Sequence, residues 1–161
     1  MMVVVWGVSG CGKSTVGQQL ADRLNWRFYD ADDFHPAANR EKMSRGVPLE
    51  DQDRYPWLDA LASLILQTNQ AGLNGVLACS ALKVNYRDRL GFGREDVCGV
   101  HLSGSAAVIQ SRLAARNHEF MNSGLLASQI ATLELAEEGL VVDINLPPAE
   151  LCDQIIEYLN L

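Results

Sequence analysis

One nine-residue stretch constrains the fold of this chain more than any other. Residues 7–15 read Gly-Val-Ser-Gly-Cys-Gly-Lys-Ser-Thr, which matches the pattern G-x-x-x-x-G-K-S. An apolar run at residues 2–6 precedes it, and a segment with the helical spacing of Val16, Leu20 and Leu24 follows it. A strand, a glycine-rich turn and a helix in this order form the phosphate-binding P-loop.

The residue types in the P-loop suit an anion. Glycine lets the backbone turn tightly and approach a phosphate closely, and backbone N–H groups face the anion together with the N-terminus of the next helix. Lys13 is expected to reach the β- and γ-phosphates, and the Ser14 hydroxyl is expected to ligate Mg²⁺. The sequence thus predicts a site for ATP or GTP with Mg²⁺, formed by Gly7, Val8, Ser9, Gly10, Cys11, Gly12, Lys13, Ser14 and Thr15.

Composition and charge narrow the class of protein. A chain of 161 residues fits one domain, on a prior of about 100–200 residues per domain, so we expect residues 1–161 to form it. The net charge of −7 argues against nucleic acid as a partner, because non-specific binding needs a basic surface. Neither a leader nor a long apolar segment is recognised, so we expect no membrane partner and a cytoplasmic location. Four scattered cysteines lack zinc or redox spacing.

Strand and helix patterns alternate along the rest of the chain. Repeated βα units predict an α/β fold with a parallel sheet and helices on both faces. The expected strands cover residues 2–6, 27–30, 75–80, 97–103 and 140–144. The expected helices cover residues 13–24, 36–45, 57–72, 84–90, 105–116, 125–134 and 147–159, with a polar loop at 48–54 and an irregular segment at 117–124.

Three carboxylates and a histidine follow the second expected strand, at the sheet edge where folds of this kind bind ligands. In a functional interpretation, one of Asp30, Asp32 and Asp33 deprotonates an acceptor hydroxyl and another holds the hydration shell of Mg²⁺. In a structural interpretation, the three aspartates favour the dipole of the following helix. His35 either contacts the acceptor or is a loop residue, and Ser80 follows the third strand at the same edge.

Basic residues at strand ends could stabilise the charge of a transferring phosphoryl group. Arg54, Lys83 and Arg87 are candidates to recognise an anionic acceptor, since arginine binds carboxylates bidentately. Arg112 and Arg116 could reach the ATP phosphates from a closing lid. The alternative is that each of these residues is a solvated surface charge.

Further stretches, taken with the P-loop, resemble the small P-loop gluconokinases from end to end. The most specific runs are Asp30-Ala31-Asp32-Asp33-Phe34-His35-Pro36, Asp51-Gln52-Asp53-Arg54 and Cys79-Ser80-Ala81-Leu82-Lys83. A lid-like stretch carries His118, Phe120 and Met121, followed by Ser128-Gln129 and Thr132-Leu133-Glu134. In the lid, this sequence departs from the common family pattern Gly-His-Phe-Met-Pro, because it inserts Glu119 and lacks the proline.

This resemblance implies ATP-dependent phosphorylation of D-gluconate to 6-phospho-D-gluconate with Mg²⁺. It also implies a nucleoside-monophosphate-kinase-like P-loop fold of five strands, a lid at about 117–134 and a homodimer. By the motif match, Asp32 is the general base, Asp30 lies near the metal, and Arg54 contacts the substrate. Hydroxyl partners for the polyol are then expected from Asp33, His35 and Ser80, with His118 as a further substrate contact from the lid-like stretch.

Two other functions remain open at this point. A kinase for another small hydroxy acid, similar to shikimate, would share the P-loop and the aspartate after the second strand. A nucleotide-binding sensor without turnover is the alternative from a different class, and only the altered lid favours it. Turnover of ATP that depends on the acid would distinguish an enzyme from a sensor.

Overall fold

The structure of the protein is a computed structural model, and it describes residues 1–115, 123–136 and 139–161. The strands in these ranges are β1 (Met2–Trp6), β2 (Arg27–Asp30), β3 (Gly75–Cys79), β4 (Val97–Ser103) and β5 (Leu140–Asp143). The α-helices there are α1 (Lys13–Leu24), α2 (Ala37–Ser44), α3 (Asp51–Gln70), α4 (Val84–Leu90), α5 (Ala106–Ala115), α6 (Ser123–Thr132) and α7 (Pro148–Tyr158). A short 3₁₀ helix, Ala31–Phe34, follows β2.

The strands form one parallel sheet in the order β2-β3-β1-β4-β5. The central strand is β1, whose last residue, Trp6, pairs with Cys79 of β3 and with His101 of β4. Because the strands are parallel, their carboxyl ends share one edge, and the P-loop leaves the middle of that edge. The predicted α/β fold with a five-stranded parallel sheet flanked by helices is confirmed.

Side chains of β1 alternate between two hydrophobic cores, as the two-residue period of a strand requires. Val3 and Val5 belong to the core that α1 and α7 cover. Val4 and Trp6 belong to the core on the opposite face, which includes Trp57 of α3. All of these side chains are fully or almost fully buried. Packing on both faces holds the P-loop on a rigid strand.

The expected polar loop at 48–54 is wrong from residue 51 onward, because α3 already begins at Asp51. The carboxylate of Asp53 accepts the backbone N–H of Glu50 at 2.9 Å, which is one half of a capping box. Asp51 and Asp53 also favour the positive end of the helix dipole. The polar residues from Asp51 onward therefore form the capped first turn of α3, and Arg54 lies on this helix.

The 3₁₀ helix after β2 was not predicted either. The Asp30 carboxylate accepts the N–H of Asp32 at 3.0 Å and so caps this short element. The expected lid is described only from residue 123 onward, so the predictions for Arg116, His118 and Glu119 lie outside the described residues. Within the described ranges, no helix is long and apolar enough to cross a bilayer.

Candidate active site

The P-loop turns at glycines that other residues would strain. Gly10 and Gly12 have φ angles of 81° and 100°, in the left-handed region that favours glycine. A Cβ atom on Gly10 would lie 2.7 Å from side-chain carbons of Leu113. Because α1 begins at Lys13, directly after this turn, the unpaired N–H groups of its first turn are available to an anion held by the loop.

Two oxygen-bearing side chains meet between the first turn of α1 and the end of β2. The Ser14 hydroxyl donates to Asp30 Oδ2 at 2.9 Å. The Lys13 ammonium lies across the P-loop and donates to the Val8 carbonyl at 3.0 Å. A hydroxyl and a carboxylate are the hard oxygen donors that Mg²⁺ prefers, and phosphates and water usually complete its shell. The residues present therefore fit a magnesium ion bound with a nucleotide.

Asp32 lies on the 3₁₀ helix beside this pair, and its side chain is exposed. Partial desolvation by the surrounding protein, and then the charge of Asp30, raise the pKa of the Asp32 carboxyl above its ordinary value, while Lys13 opposes this shift. A carboxylate with a raised pKa is a better proton acceptor. Asp32 thus has the surroundings of a general base within the field of the P-loop lysine.

His35 lies at the end of the 3₁₀ helix and is buried. Its ring stacks on Trp57 at 4.4 Å between ring centroids, with 11° between the planes. Burial, followed by the charges of Arg54 and Arg40, lowers the pKa of His35 to about 4. The imidazole is therefore neutral near pH 7, and its Nε2 atom lies 3.9 Å from Asp32 Oδ1.

Arg54 and Lys83 present different amounts of free charge. The Lys83 ammonium pairs with the Asp51 carboxylate at 2.9 Å, and the Tyr86 hydroxyl donates to the same carboxylate. These hydrogen bonds, from Tyr86 first and then Lys83, lower the pKa of Asp51. The central guanidinium carbon of Arg54 lies 5.9 Å from the centroid of the Tyr86 ring. Arg54 has no ion-pair partner within the described part of the chain. Of these two cations, Arg54 is therefore the one without an ion pair, although its charge also acts on the Asp51 and Asp53 carboxylates.

Arg87 is committed to the fold, and the prediction that it recognises an acceptor is not supported by its position. It is 2% exposed, and its guanidinium donates to the carbonyls of Ala81 and Glu134, both at 2.8 Å. The guanidinium also lies 4.3 Å from the Trp6 ring centroid. Although Arg87 lies only four residues after Lys83, α4 turns it inward. The residue joins the loop after β3 to the segment after α6.

Two contacts bring later helices against the P-loop. Arg112 of α5 donates to the Ile144 carbonyl, and one of its nitrogens lies 3.9 Å from the place of a Cβ on Gly12. Gln129 of α6 accepts the backbone N–H of Ser9 at 2.6 Å and donates to the Ser9 hydroxyl at 3.1 Å. Both helices are therefore adjacent to the expected phosphate site.

Comparison with known proteins assigns this arrangement to a family. The shikimate kinase family model matches residues 9–159. A probable gluconokinase of Rattus norvegicus is 45% identical over an alignment of 182 positions. The alignment covers 99% of this chain and 97% of that protein. The chain belongs to the gluconokinase family.

Solved structures agree with membership of the gluconokinases. The crystal structure of a gluconokinase from Sinorhizobium meliloti 1021 has 37% identity and a TM-score of 0.83, covering 99% of this chain and 95% of that one. The unliganded structure of a sugar kinase from Janibacter sp. HTCC2649 has 43% identity and a TM-score of 0.90, covering 99% of this chain and 94% of that one. As a gluconokinase-family member, the protein is a kinase.

In this gluconokinase-family chain, most of the residues predicted for the site meet at the carboxyl edge of the sheet. Lys13, Ser14, Asp30 and Asp32 interact directly or through one another's fields, and the Ser80 carbonyl accepts the N–H of Gly7 at 3.3 Å. Lys83 and Arg87 also lie at this edge, but Lys83 is paired with Asp51 and Arg87 is buried with its guanidinium on backbone carbonyls. Arg116 and His118 are not among the described residues.

Sequence reasoning assigned no role to several residues that form this site. Asp51 accepts from both Lys83 and Tyr86, and it therefore determines how much of the Lys83 charge is free for a ligand. Gln129 contacts the P-loop from α6. Gln129 lies 120 positions from Ser9, so no local pattern links them. The run Ser128-Gln129 within the family resemblance was the available signal.

Proposed function

We propose that this protein transfers the γ-phosphoryl group of ATP to a hydroxyl of D-gluconate and yields 6-phospho-D-gluconate and ADP. The observation that carries the proposal is the convergence of a P-loop, the Asp32 carboxylate and the unpaired Arg54 cation at one sheet edge of a gluconokinase-family chain. His35 links the two sides, because it lies 3.9 Å from Asp32 and within the field of Arg54. Gluconate, a polyol with one carboxylate, matches this charge distribution.

The chain's own residues act by positioning and by charge stabilisation, which dominate catalysis of phosphoryl transfer. The P-loop N–H groups and Lys13 hold the β- and γ-phosphates. Asp32 accepts the proton of the gluconate hydroxyl while the oxygen of that hydroxyl bonds to the γ-phosphorus. At the same time the bond between this phosphorus and the β,γ-bridging oxygen breaks. Arg54 binds the gluconate carboxylate, and Asp33, His35 and Ser80 bind hydroxyls along the chain of the acid.

Other predicted residues extend this proposal. Ser14 and Asp30 would hold Mg²⁺, which neutralises phosphate charge when it is bound with ATP. Arg112, together with Arg116, would stabilise the phosphates, and His118 would contact the substrate from the lid. Lys83 would serve gluconate only after separating from Asp51, so we assign it a smaller share of recognition than Arg54.

Location and assembly complete the proposal. All four cysteines are free thiols, and Cys11, Cys79 and Cys152 are buried, which suits a reducing compartment such as the cytoplasm. We further propose that residues 1–161 act as a single domain, that nucleic acid and membranes are not partners, and that the protein is a homodimer, as the family resemblance implies. The net charge of −7 supports the exclusion of nucleic acid.

The direct test is release of ADP from ATP and Mg²⁺ in the presence of gluconate, shikimate, 2-keto-3-deoxygluconate, glycerate or no acid. Gluconate is expected to raise the rate well above the blank and above the other acids, because only it combines one carboxylate with a full-length polyol. Release with a different acid would leave a kinase of another specificity. A flat series with measurable ATP binding would instead indicate a nucleotide sensor.

Arg54 and Arg87 form a matched pair for testing substrate recognition. Arg54→Ala should raise the KM for gluconate at least tenfold with little change in the KM for ATP or in stability, because its charge is free for the acid. Arg87→Lys should instead lower the free energy of unfolding by about 1–3 kcal/mol, since buried carbonyls lose their donors. Steady-state kinetics and urea denaturation measure both. If Arg54→Ala changed only the KM for ATP, Arg54 would belong to the nucleotide site.

A further inference from the structure

Asn39 lies behind His35 and is buried, with 3% of its surface exposed. Its amide nitrogen Nδ2 donates to the backbone carbonyl of Asp53 at 2.8 Å. The same nitrogen lies 3.3 Å from His35 Nδ1. A carbonyl accepts only from a donor, so the Asp53 contact determines which end of the Asn39 amide is the NH₂ group. The second hydrogen of this group is then directed to the imidazole.

This contact determines the protonation of the ring. A nitrogen that accepts a hydrogen bond carries no proton, and the proton of a neutral imidazole must then lie on the other nitrogen. His35 is neutral near pH 7, because burial and the charges of Arg54 and Arg40 lower its pKa. His35 Nδ1 is the acceptor for Asn39, and therefore Nε2 is the protonated atom.

The orientation of the ring gives this tautomer a consequence. Stacking on Trp57 holds the ring, and Trp57 is itself held by its indole N–H, which donates to the Ala31 carbonyl at 2.7 Å. In this pose Nε2 lies 3.9 Å from Asp32 Oδ1. An N–H there attracts the carboxylate, whereas the lone pair of the other tautomer would repel it.

We propose that Asn39 is a positioning residue that keeps His35 in the Nε2–H tautomer, so that this N–H orients Asp32 and the acceptor hydroxyl for proton transfer. The inference rests on the proposed function, because it assigns Asp32 to the acceptor side. Among the described residues, the Asn39 amide contacts the Asp53 carbonyl and His35 Nδ1, so Asn39 acts on Asp32 through His35. The charges around the ring are Asp32 on one side and Arg54 and Arg40 on the others.

The first test is the ¹⁵N NMR spectrum of the imidazoles in the unmodified protein at neutral pH, assigned with a His35→Gln variant. The expected spectrum of His35 has a protonated Nε2 and an unprotonated Nδ1. This measurement needs neither substrate nor turnover, so its result is independent of whether gluconate is the acceptor. A protonated Nδ1, or a charged ring, would overturn the proposal.

The second test is Asn39→Asp, which places an acceptor against His35 Nδ1 and favours a proton on that atom. The kcat for gluconate is expected to fall about 10- to 100-fold, as small errors of positioning do, while the KM for ATP stays within about twofold. The ring spectrum should change at the same time. An altered tautomer with unchanged kcat and unchanged KM for gluconate would contradict the proposed role.

Asn69→Asp is the matched control. Asn69 lies on α3 away from His35, and its amide nitrogen likewise donates to a backbone carbonyl, that of Asp96, at 2.9 Å. This variant should lose stability comparably and keep both the His35 spectrum and kcat. An equal loss of kcat in the two variants at equal stability would show that Asn39 is only structural. Failure of the unmodified protein to phosphorylate gluconate would count against the proposed function and not against the tautomer.

Discussion

Asp32→Asn is expected to lower kcat for gluconate phosphorylation by about 10²–10⁴, the range that a general base contributes. An amide has nearly the shape of the carboxylate but cannot take up the hydroxyl proton. ATP binding should change little, since the P-loop and Lys13 hold the phosphates. The Asp30 carboxylate caps the backbone N–H of residue 32, and this contact does not involve the Asp32 side chain, so the 3₁₀ helix should persist.

The measurement is single-turnover transfer from ATP to gluconate, with ATP affinity determined by calorimetry. Asp22→Asn is the matched control, because Asp22 lies exposed on α1 and its carboxylate accepts from Gln18 at 2.8 Å. That variant should keep kcat within about twofold. An Asp32→Asn protein with unchanged kcat would place the base at another residue, with Asp33 the first to test.

Lys13→Ala is expected to reduce turnover by about 10²–10³ or more, as loss of a preorganised charge partner does. In the structure the Lys13 ammonium donates to the Val8 carbonyl, so it lies over the loop that is expected to hold the phosphates. The ammonium is also expected to stabilise the charge that develops on the γ-phosphoryl group in the transition state. The loss should therefore appear in kcat as well as in the affinity for ATP.

Lys42→Ala provides the comparison for Lys13→Ala. The Lys42 ammonium pairs with Asp53 at 2.8 Å on a partly exposed surface, and such pairs contribute about 1 kcal/mol or less. Turnover of this variant should stay within a few-fold of the unmodified protein. Near-normal turnover of Lys13→Ala would overturn the assignment of residues 7–15 as the catalytic P-loop.

The order of the elements follows directly from sequence patterns. The apolar run at residues 2–6 and the P-loop spacing predict β1 and α1 with the bounds that the structure shows, because both features are contiguous. The start of α3 was missed since a polar, aspartate-rich run is compatible with a loop and with a capped helix turn, and only the contact of Asp53 with the Glu50 N–H selects the helix.

The sequence alone determined the phosphate site, because the groups that bind phosphate are backbone amides and side chains within nine consecutive residues. It also placed the aspartates after β2 beside that site, since parallel strands end at a common edge. The tertiary structure decided how the cations and the histidine are used. Arg54, Lys83 and Arg87 have the same sign of charge, and their partners distinguish them. Asp51 pairs with Lys83, backbone carbonyls accept from Arg87, and Arg54 has no ion pair among the described residues. Compensation of charge and the tautomer of His35 depend on distances between groups that no local pattern specifies.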